Sequence, residues 1–202
     1  MPILKEVHSN DNHLVIWHIV ESEEQLLAEL SQPVNLPASP AKRLERLAAL
    51  VLLKRIGYGE KYCYHPDGRP YLPDNSDFIS ISHAGNKVVI AINSMRPVGV
   101  DIEHTARNYR RIASKFLNRR EMNYSLSSGP TEMALFWTFK EAVYKLPWGV
   151  SKKISEDIDV LMDGATTPGG WCNIRVKHNG EWVYLNGYFE YFDDFCLAWV
   201  NL

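Results

Sequence analysis

A short stretch in the middle of the chain decides how the rest is interpreted: Val98-Gly99-Val100-Asp101-Ile102-Glu103. Its apolar residues alternate with glycine and two acids at the two-residue period of a β-strand. Asp101 and Glu103 therefore project on the same side of the strand. Two carboxylates this close repel each other, and the arrangement becomes tolerable when a cation lies between them. The stretch predicts a buried strand that presents two metal-binding acids.

A second stretch, residues 136–145, has the spacing of a helix. Glu141 and Lys145 occupy positions i and i+4, so they would lie on one face, a turn apart. The helix therefore offers a third carboxylate and an ammonium. Three carboxylates and a lysine suit a divalent metal that holds a phosphate or pyrophosphate. Taken alone the helix is a weak indication, because Glu–Lys pairs at this spacing are common on solvated faces.

The composition is that of an ordinary globular protein. The chain has 202 residues, of which 46% are hydrophobic and 23% charged, with a formal net charge of -2. This length suggests one compact unit or two small subdomains. The charge gives no reason to expect a nucleic-acid-binding protein. No apolar run approaches the ~20 residues that span a bilayer, and the first residues lack the apolar core of a secretory signal.

Cysteine and histidine usage gives two further expectations. The cysteines, Cys63, Cys172 and Cys196, are far apart and odd in number. This is typical of reduced thiols, so we expect a soluble protein of the cytoplasm without a disulfide framework. The histidines show no zinc-type spacing. Apart from His83, discussed below, each is expected to be an ordinary structural residue: His8, His13, His18, His65, His104 and His178.

Hydrophobic periodicity predicts helices and antiparallel strands in both halves of the chain. The predicted helices are 21–30, 41–56, 109–116, 119–124 and 132–145, and the predicted strands are 13–20, 78–83, 87–92, 98–103, 154–161, 171–176, 181–192 and 195–200. Short links favour a three-stranded antiparallel meander over 78–103. Helices followed by strands occur twice, which predicts an α+β fold whose two halves divide near residue 100.

The two stretches together resemble a known signature. The second reads Trp137-Thr138-Phe139-Lys140-Glu141-Ala142-Val143-Tyr144-Lys145. The two stretches occur in the same order as the two-part motif of the 4′-phosphopantetheinyl transferases, and they resemble it. That motif is G-(I/V)-D-x-E followed by W-(S/T)-x-K-E-(A/S)-x-x-K. Two further motifs of that family, S-(I/V)-S-H-(A/S) and G-(K/R)-P, are matched by Ser80-Ile81-Ser82-His83-Ala84 and Gly68-Arg69-Pro70. The four motifs cover much of residues 40–145.

The resemblance implies a fold and a reaction. The fold is the single-chain, pseudo-dimeric type, with two similar subdomains of antiparallel sheet and helices and the active site at their interface. Residues 1–99 would form the coenzyme A-binding half, and residues 100–202 the half that holds the metal and the carrier protein. The protein would act as a monomer. Coenzyme A would give its phosphopantetheine arm to a serine of an apo acyl or peptidyl carrier protein, releasing 3′,5′-ADP, with magnesium required.

The resemblance also assigns residues to the reacting centre. Asp101, Glu103 and Glu141 would ligate magnesium, and Glu141 is also placed to accept the serine proton, directly or through water. Lys140 and Lys145 would neutralise the pyrophosphate, with Lys145 better placed to stabilise the leaving oxygen. The alternative interpretation is a polar strand end and a solvated helix face.

Residues of the first half are assigned to coenzyme A by the same resemblance. The 3′-phosphate would contact the basic row Lys42, Arg46 and Lys54; the adenine or ribose would lie near Arg69, and the phosphates near Ser82 and His83. A solvated helix face, a β-turn and a structural histidine are the respective alternatives. The chain departs from many relatives in this helix, where Ala48-Ala49-Leu50 replaces a pattern that ends in arginine.

Between the two signature parts lies a segment that relatives use to dock the carrier protein. The docking surface would include Tyr109, Phe116 and Leu117. The same segment is rich in basic residues, which could attract an acidic partner or could form an ordinary solvated helix face. They are Arg107, Arg110, Arg111, Lys115, Arg119 and Arg120. Trp137 is expected in the core.

Two other functions compete with the transferase. One is a relative that binds coenzyme A or a carrier protein without catalysis. The other is an unrelated metal-dependent phosphate-ester hydrolase that uses the same carboxylates. The intact set of Asp101, Glu103, Glu141 and Lys145 disfavours the first, and the lack of a second metal-binding cluster disfavours the second.

Overall fold

The computed structural model describes residues 3–9, 11–147, 153–162 and 169–202. Residue contacts divide the chain into two compact units, Met1–Arg96 and Pro97–Leu202. Each unit combines helices with an antiparallel sheet, which confirms the predicted α+β class. Within the described residues, none of the helices combines the length and apolarity required to cross a membrane.

The described residues of the first unit form six strands and two helices. In chain order they are β1 (Ile3–Ser9), β2 (Asn12–His18), α1 (Glu23–Glu29), α2 (Pro40–Arg55), β3 (Cys63–Tyr64), β4 (Pro70–Tyr71), β5 (Phe78–Ala84) and β6 (Lys87–Asn93). Its four-stranded sheet has the order β1-β2-β6-β5, and β3 and β4 form a separate small hairpin. Strand β1 was not predicted because it is an edge strand of exposed and half-buried residues without a buried apolar face.

Helix α2 supplies the core of this unit. Pro40 lies at its start, where a missing N–H costs nothing. All seven residues from Leu47 to Leu53 are buried. They belong to one hydrophobic cluster with Val15 and Trp17 of β2 and Ile90 of β6. The helix is therefore held against the sheet by burial of apolar area rather than by its polar ends.

The second unit contains a five-stranded sheet and several helices. In chain order they are β7 (Val98–His104), a single helical turn (Tyr109–Arg111), α3 (Ala113–Phe116), α4 (Arg119–Ser128), α5 (Pro130–Tyr144), α6 (Ile154–Asp157), β8 (Ile158–Leu161), β9 (Gly169–His178), β10 (Glu181–Phe192) and β11 (Phe195–Asn201). The sheet order is β7-β11-β10-β9-β8. The predicted strand over 154–161 is therefore a helical turn followed by a short strand.

Strand β7 does not join the predicted meander. It pairs with β11 along its whole length, so that Asp101 lies opposite Ala198 and Glu103 opposite Cys196. Strands β5 and β6 pair with each other, as predicted, but belong to the sheet of the first unit. The prediction of three consecutive paired strands was wrong because the Met95-Arg96-Pro97 link allowed, but did not require, a hairpin.

Helix α5 crosses the sheet of the second unit at very short range. A Cβ atom on Gly99 of β7 would lie well inside van der Waals distance of the carbonyl oxygen of Ala142, and one on Gly187 of β10 would collide with Phe139. Both glycines therefore permit the helix backbone to approach the strands. Because Gly99, Asp101 and Glu103 share one face of β7, this approach brings the end of α5 to the two acids.

Candidate active site

The two predicted parts of the site meet through Lys145. Its Nζ atom lies 2.8 Å from Oδ1 of Asp101 and 2.8 Å from the carbonyl oxygen of Val100, and it donates a hydrogen bond to each. The Asp101 side chain is 7% exposed and that of Lys145 is 25% exposed. Lys145, at the end of α5, therefore neutralises the buried Asp101 carboxylate on β7. The lysine side chain is still exposed enough for a ligand to reach it.

Glu103 is held by three donors from neighbouring elements. Trp137 donates its indole N–H to Oε1 at 2.7 Å, and Arg107 donates from Nη1 to both carboxylate oxygens at 3.0 and 3.2 Å. The Tyr109 hydroxyl lies 3.3 Å from Oε2 and 3.1 Å from the carbonyl oxygen of His104, so it can donate to either. Burial raises the pKa of Tyr109, and the charge of Glu103 adds to the rise. The hydroxyl therefore remains a donor.

The surroundings of Glu141 raise the pKa of its carboxyl group. Burial raises its pKa above the ordinary value of 4.5, and the negative charge of Asp101 raises it further. The ammonium of Lys145 acts in the opposite direction, and Glu103 adds a smaller rise. A carboxylate with a raised pKa accepts a proton more readily, which suits a general base. It also repels its acidic neighbours, which a bound cation would relieve.

The donor chemistry of the three acids fits magnesium. Asp101, Glu103 and Glu141 offer only carboxylate oxygens, and magnesium takes one or two carboxylates directly while it keeps several waters. Their oxygens do not form a closed cage: in the part of the chain that the structure describes, Glu6, His8 and His13 are the single group of three such ligands within 4.8 Å of one another. The arrangement suits an open, partly hydrated site rather than a structural one.

Lys140 does not lie where the sequence placed it. Its side chain is completely buried, and its Nζ donates to Oε2 of Glu121 and to the carbonyl oxygen of Phe116, each at 2.6 Å. Glu121 is also fully buried and accepts a hydrogen bond from the backbone N–H of Val160. A side chain with no exposed surface cannot contact a pyrophosphate. The expected role of Lys140 is therefore corrected to that of a structural residue.

The coenzyme A residues expected in the first unit are spread over separate elements. Lys54 pairs with Glu60 at 2.7 Å, and Arg69 pairs with Asp67 at 2.7 Å, so both already hold a carboxylate. Lys42 is exposed near the start of α2. On β5, Ser82 is buried and His83 is half-buried. These five residues lie on α2, next to β4 and on β5.

Arg46 differs from the other basic residues of α2. Its guanidinium lies over the ring of Tyr62, 5.0 Å from the ring centre. Its Nε atom is buried and has no hydrogen-bond partner among the described residues. The cation–π contact fixes the position of the guanidinium.

Three residues near Glu103 were given other roles by the sequence. Trp137 was expected in the core, Tyr109 at a docking surface and Arg107 in a basic cluster, whereas all three contact the Glu103 carboxylate. The Arg107 contact depends on the turn that follows β7, and the spacing of residues along the sequence does not reveal it. The Trp137 contact depends on how α5 packs on β7. Trp137 also packs against the core cluster, which agrees with the expectation in part.

Comparison with known proteins adds the family. A family model described as the 4′-phosphopantetheinyl transferase superfamily matches residues 97–198. The chain belongs to this superfamily. It is also 34% identical over 83 residues to the 4′-phosphopantetheinyl transferase Sfp of Bacillus subtilis (strain 168), a match that covers 39% of this chain. The chain spans 37% of the length of that relative.

The superfamily match coincides with the second unit. It begins one residue before β7 and contains α5, so it includes Asp101, Glu103, Glu141 and Lys145. The matched region therefore holds the acids and the lysine whose contacts are described above. The first unit lies outside it, and the coenzyme A contacts expected there remain predictions.

Proposed function

We propose that this member of the superfamily transfers the 4′-phosphopantetheine arm of coenzyme A to a serine of an apo acyl or peptidyl carrier protein, releasing 3′,5′-ADP. The observation that carries the proposal is the meeting of Lys145 with Asp101 beside Glu141, a base with a raised pKa, inside the matched region. An ammonium, a base and three carboxylates are what an in-line phosphoryl transfer needs.

Magnesium, when bound by Asp101, Glu103 and Glu141, supplies positive charge to the pyrophosphate. The Glu141 carboxylate accepts the proton of the carrier serine, directly or through a water molecule. The serine oxygen then forms a bond to the phosphorus that bears the pantetheine, and the bond from that phosphorus to the oxygen of 3′,5′-ADP breaks. The Lys145 ammonium stabilises the negative charge that develops on this leaving oxygen.

Glu103 is held in one orientation for this task. Arg107 and Trp137 both bind its carboxylate, so the side chain loses little further freedom when a ligand arrives. Preorganisation of this kind lowers the cost of assembling a charged site. We propose that Arg107 and Trp137 are positioning residues that act through Glu103.

We further propose that the first half, residues 1–99, binds coenzyme A and that the second half, 100–202, binds the metal and the carrier protein. Arg46 is the strongest candidate for a phosphate, since its guanidinium is fixed over Tyr62. The other proposed contacts are Lys42, Lys54, Arg69, Ser82 and His83. Lys54 and Arg69 would have to exchange a carboxylate for a phosphate. All three cysteines are free thiols, which supports an enzyme of the reducing cytoplasm. We also propose that the enzyme acts as a monomer.

The direct test is incubation with coenzyme A, magnesium and an apo carrier protein, followed by mass measurement of the carrier. We expect a mass gain of one phosphopantetheine arm. Glu141→Gln and Asp101→Ala should abolish the gain while the protein remains folded by circular dichroism. Glu181→Gln, an exposed acid at the start of β10, should leave it unchanged.

Three outcomes would count against the proposal. Binding of coenzyme A without mass gain would make the chain a catalytically silent relative. Release of phosphate without transfer would make it a hydrolase. Full activity in Glu141→Gln or Asp101→Ala would remove those residues from the assigned roles.

A further inference from the structure

A second group of metal-ligating side chains lies in the first unit, where the sequence predicted none. Glu6, His8 and His13 place one ligand atom each within 4.8 Å of the other two. Nε2 of His13 lies 2.8 Å and Nε2 of His8 3.1 Å from Oε1 of Glu6. The two imidazole rings stack with their centres 3.9 Å apart. Three donors of zinc type therefore converge on one small volume.

The β1–β2 hairpin builds the group from its register. His8 of β1 lies directly opposite His13 of β2, and Glu6 is two residues before His8 on the same face of β1. Cross-strand partners in an antiparallel pair bring their Cβ atoms to about 5 Å, which is the reach of two imidazoles that share a ligand. The sequence spacing concealed this, because the two histidines become neighbours only through the turn between the strands.

The ligand atoms lie slightly closer together than a tetrahedral cation requires. Zinc bonds to imidazole nitrogen and carboxylate oxygen at about 2.0–2.2 Å, so two ligand atoms of one zinc are separated by about 3.3 Å. The observed separations from Glu6 are 2.8 and 3.1 Å, with hydrogen atoms in place of a metal. Small side-chain rotations would bring them to the required length. Both Glu6 and His8 are exposed, so the rotations meet little resistance.

The surroundings give a metal access to the two histidines. His8 and His13 line a hollow of about 590 Å³ that also includes Asp11. Water can reach a fourth coordination position through the hollow, as in zinc sites with three protein ligands.

We propose that Glu6, His8 and His13 bind one zinc-type divalent cation, separate from the magnesium that the second unit is proposed to hold. Two imidazoles and one carboxylate select zinc, cobalt or nickel over magnesium, which prefers oxygen ligands. The two sites use residues of different units, so one can be removed without the other.

The test is titration of the purified full chain with Co²⁺, which absorbs visible light strongly when its coordination is tetrahedral. We expect one equivalent of Co²⁺ to give this absorption and one equivalent of Zn²⁺ to displace it, while millimolar Mg²⁺ does not. Glu6→Gln, His8→Asn and His13→Asn should each weaken binding roughly tenfold or more, since loss of a ligand costs at least as much as loss of its supporting contacts.

A matched control keeps the test sharp. His65→Asn removes a histidine of the same unit that stacks on Tyr71 outside the group, and it should leave Co²⁺ binding unchanged. His8 is 66% exposed, so its replacement should not disturb folding, and circular dichroism checks this. The proposal is overturned by absence of the tetrahedral absorption, by unchanged binding in the three ligand variants, or by an equal loss in His65→Asn.

Discussion

Helix α5 and its C-terminal end carry two lysine–carboxylate pairs of the same chemistry that differ in their exposure to solvent. Lys140 and Glu121 are both completely buried, and their charged atoms lie 2.6 Å apart. Lys145 and Asp101 are 25% and 7% exposed, with a separation of 2.8 Å. Burial lowers the pKa of Lys140 and raises that of Glu121, while their mutual attraction opposes both shifts. Solvent cannot reach the first pair, Lys140 and Glu121, which we call the buried pair. A ligand can reach the second, Lys145 and Asp101, which we call the open pair.

The difference teaches that one motif can supply both a structural and a chemical lysine. Lys140 ties α5 to the N-terminal end of α4, where Glu121 also completes a capping box with Asn118. Lys145 ties the other end of α5 to β7. The first contact fixes where the helix lies, and the second uses that position to assemble the site.

The largest expected effect is on stability and comes from the buried pair. Lys140→Met should lower the free energy of unfolding by about 3–5 kcal/mol, because it leaves the Glu121 carboxylate buried without its cation. Urea denaturation measures this. The double variant Lys140→Met/Glu121→Gln should recover part of the loss, since the amide removes the unpaired charge while its oxygen can still accept a hydrogen bond from the Val160 N–H.

The same measurement can contradict the structural role. If Lys140→Met is as stable as the parent protein, the buried pair does not hold α5 in place. A normal free energy of unfolding combined with loss of transfer activity would return Lys140 to the site. Lys153→Met, which removes an exposed lysine paired with Glu156, is the matched control and should change stability by about 0–1 kcal/mol.

Substitution in the open pair should reduce catalysis more than it reduces stability. Lys145→Met is expected to reduce the turnover rate of phosphopantetheine transfer by about 10²–10³-fold, the usual cost of removing one donor from a developing anion. Its loss of stability should be smaller than that of Lys140→Met. Rates come from the carrier-protein mass assay under saturating coenzyme A. An equal rate in Lys145→Met and Lys153→Met would contradict the proposed role.

The meeting of Asp101 with Lys145 could be expected from the sequence, but the role of Lys140 could not. The period of the strand and the i, i+4 spacing of the helix place Asp101 and Lys145 on known faces. Lys140 lies at i, i+4 spacing between Phe136, which is 1% exposed, and Tyr144, which is 51% exposed, so this row of residues did not show that Lys140 is buried. Its partner Glu121 lies on another helix. The contact depends on how α4 packs, which periodicity does not encode.

Strand β7 illustrates the same limit at the level of the fold. Its alternation predicted a strand with the correct face, because the pleat depends only on local pattern. Its partner was predicted incorrectly, since β11 lies far along the chain and a nearby strand is the simpler choice. The Glu6, His8 and His13 group was missed for this reason as well. Local chemistry is readable from spacing, whereas pairing across strands is not.

The smallest expected effect concerns the acid beside the open pair. Burial and the charge of Asp101 raise the pKa of Glu141 in the folded protein. The folded state therefore binds this proton more tightly than the unfolded chain does, and ionisation of Glu141 destabilises the fold as pH rises through its raised pKa. Below the ordinary value of 4.5 the acid is protonated in both states and the penalty is absent.

Glu141→Gln removes this penalty together with the base. At pH 8 the variant should equal or exceed the parent in free energy of unfolding, by about 1 kcal/mol at most, and the advantage should vanish below pH 4.5. Urea denaturation at both pH values measures it. The variant should show no phosphopantetheine transfer at either pH. The opposite result would be a variant that is less stable than the parent at pH 8 but not at pH 4.5. It would mean that ionised Glu141 stabilises the fold, and the repulsion inferred between Glu141 and Asp101 would be wrong.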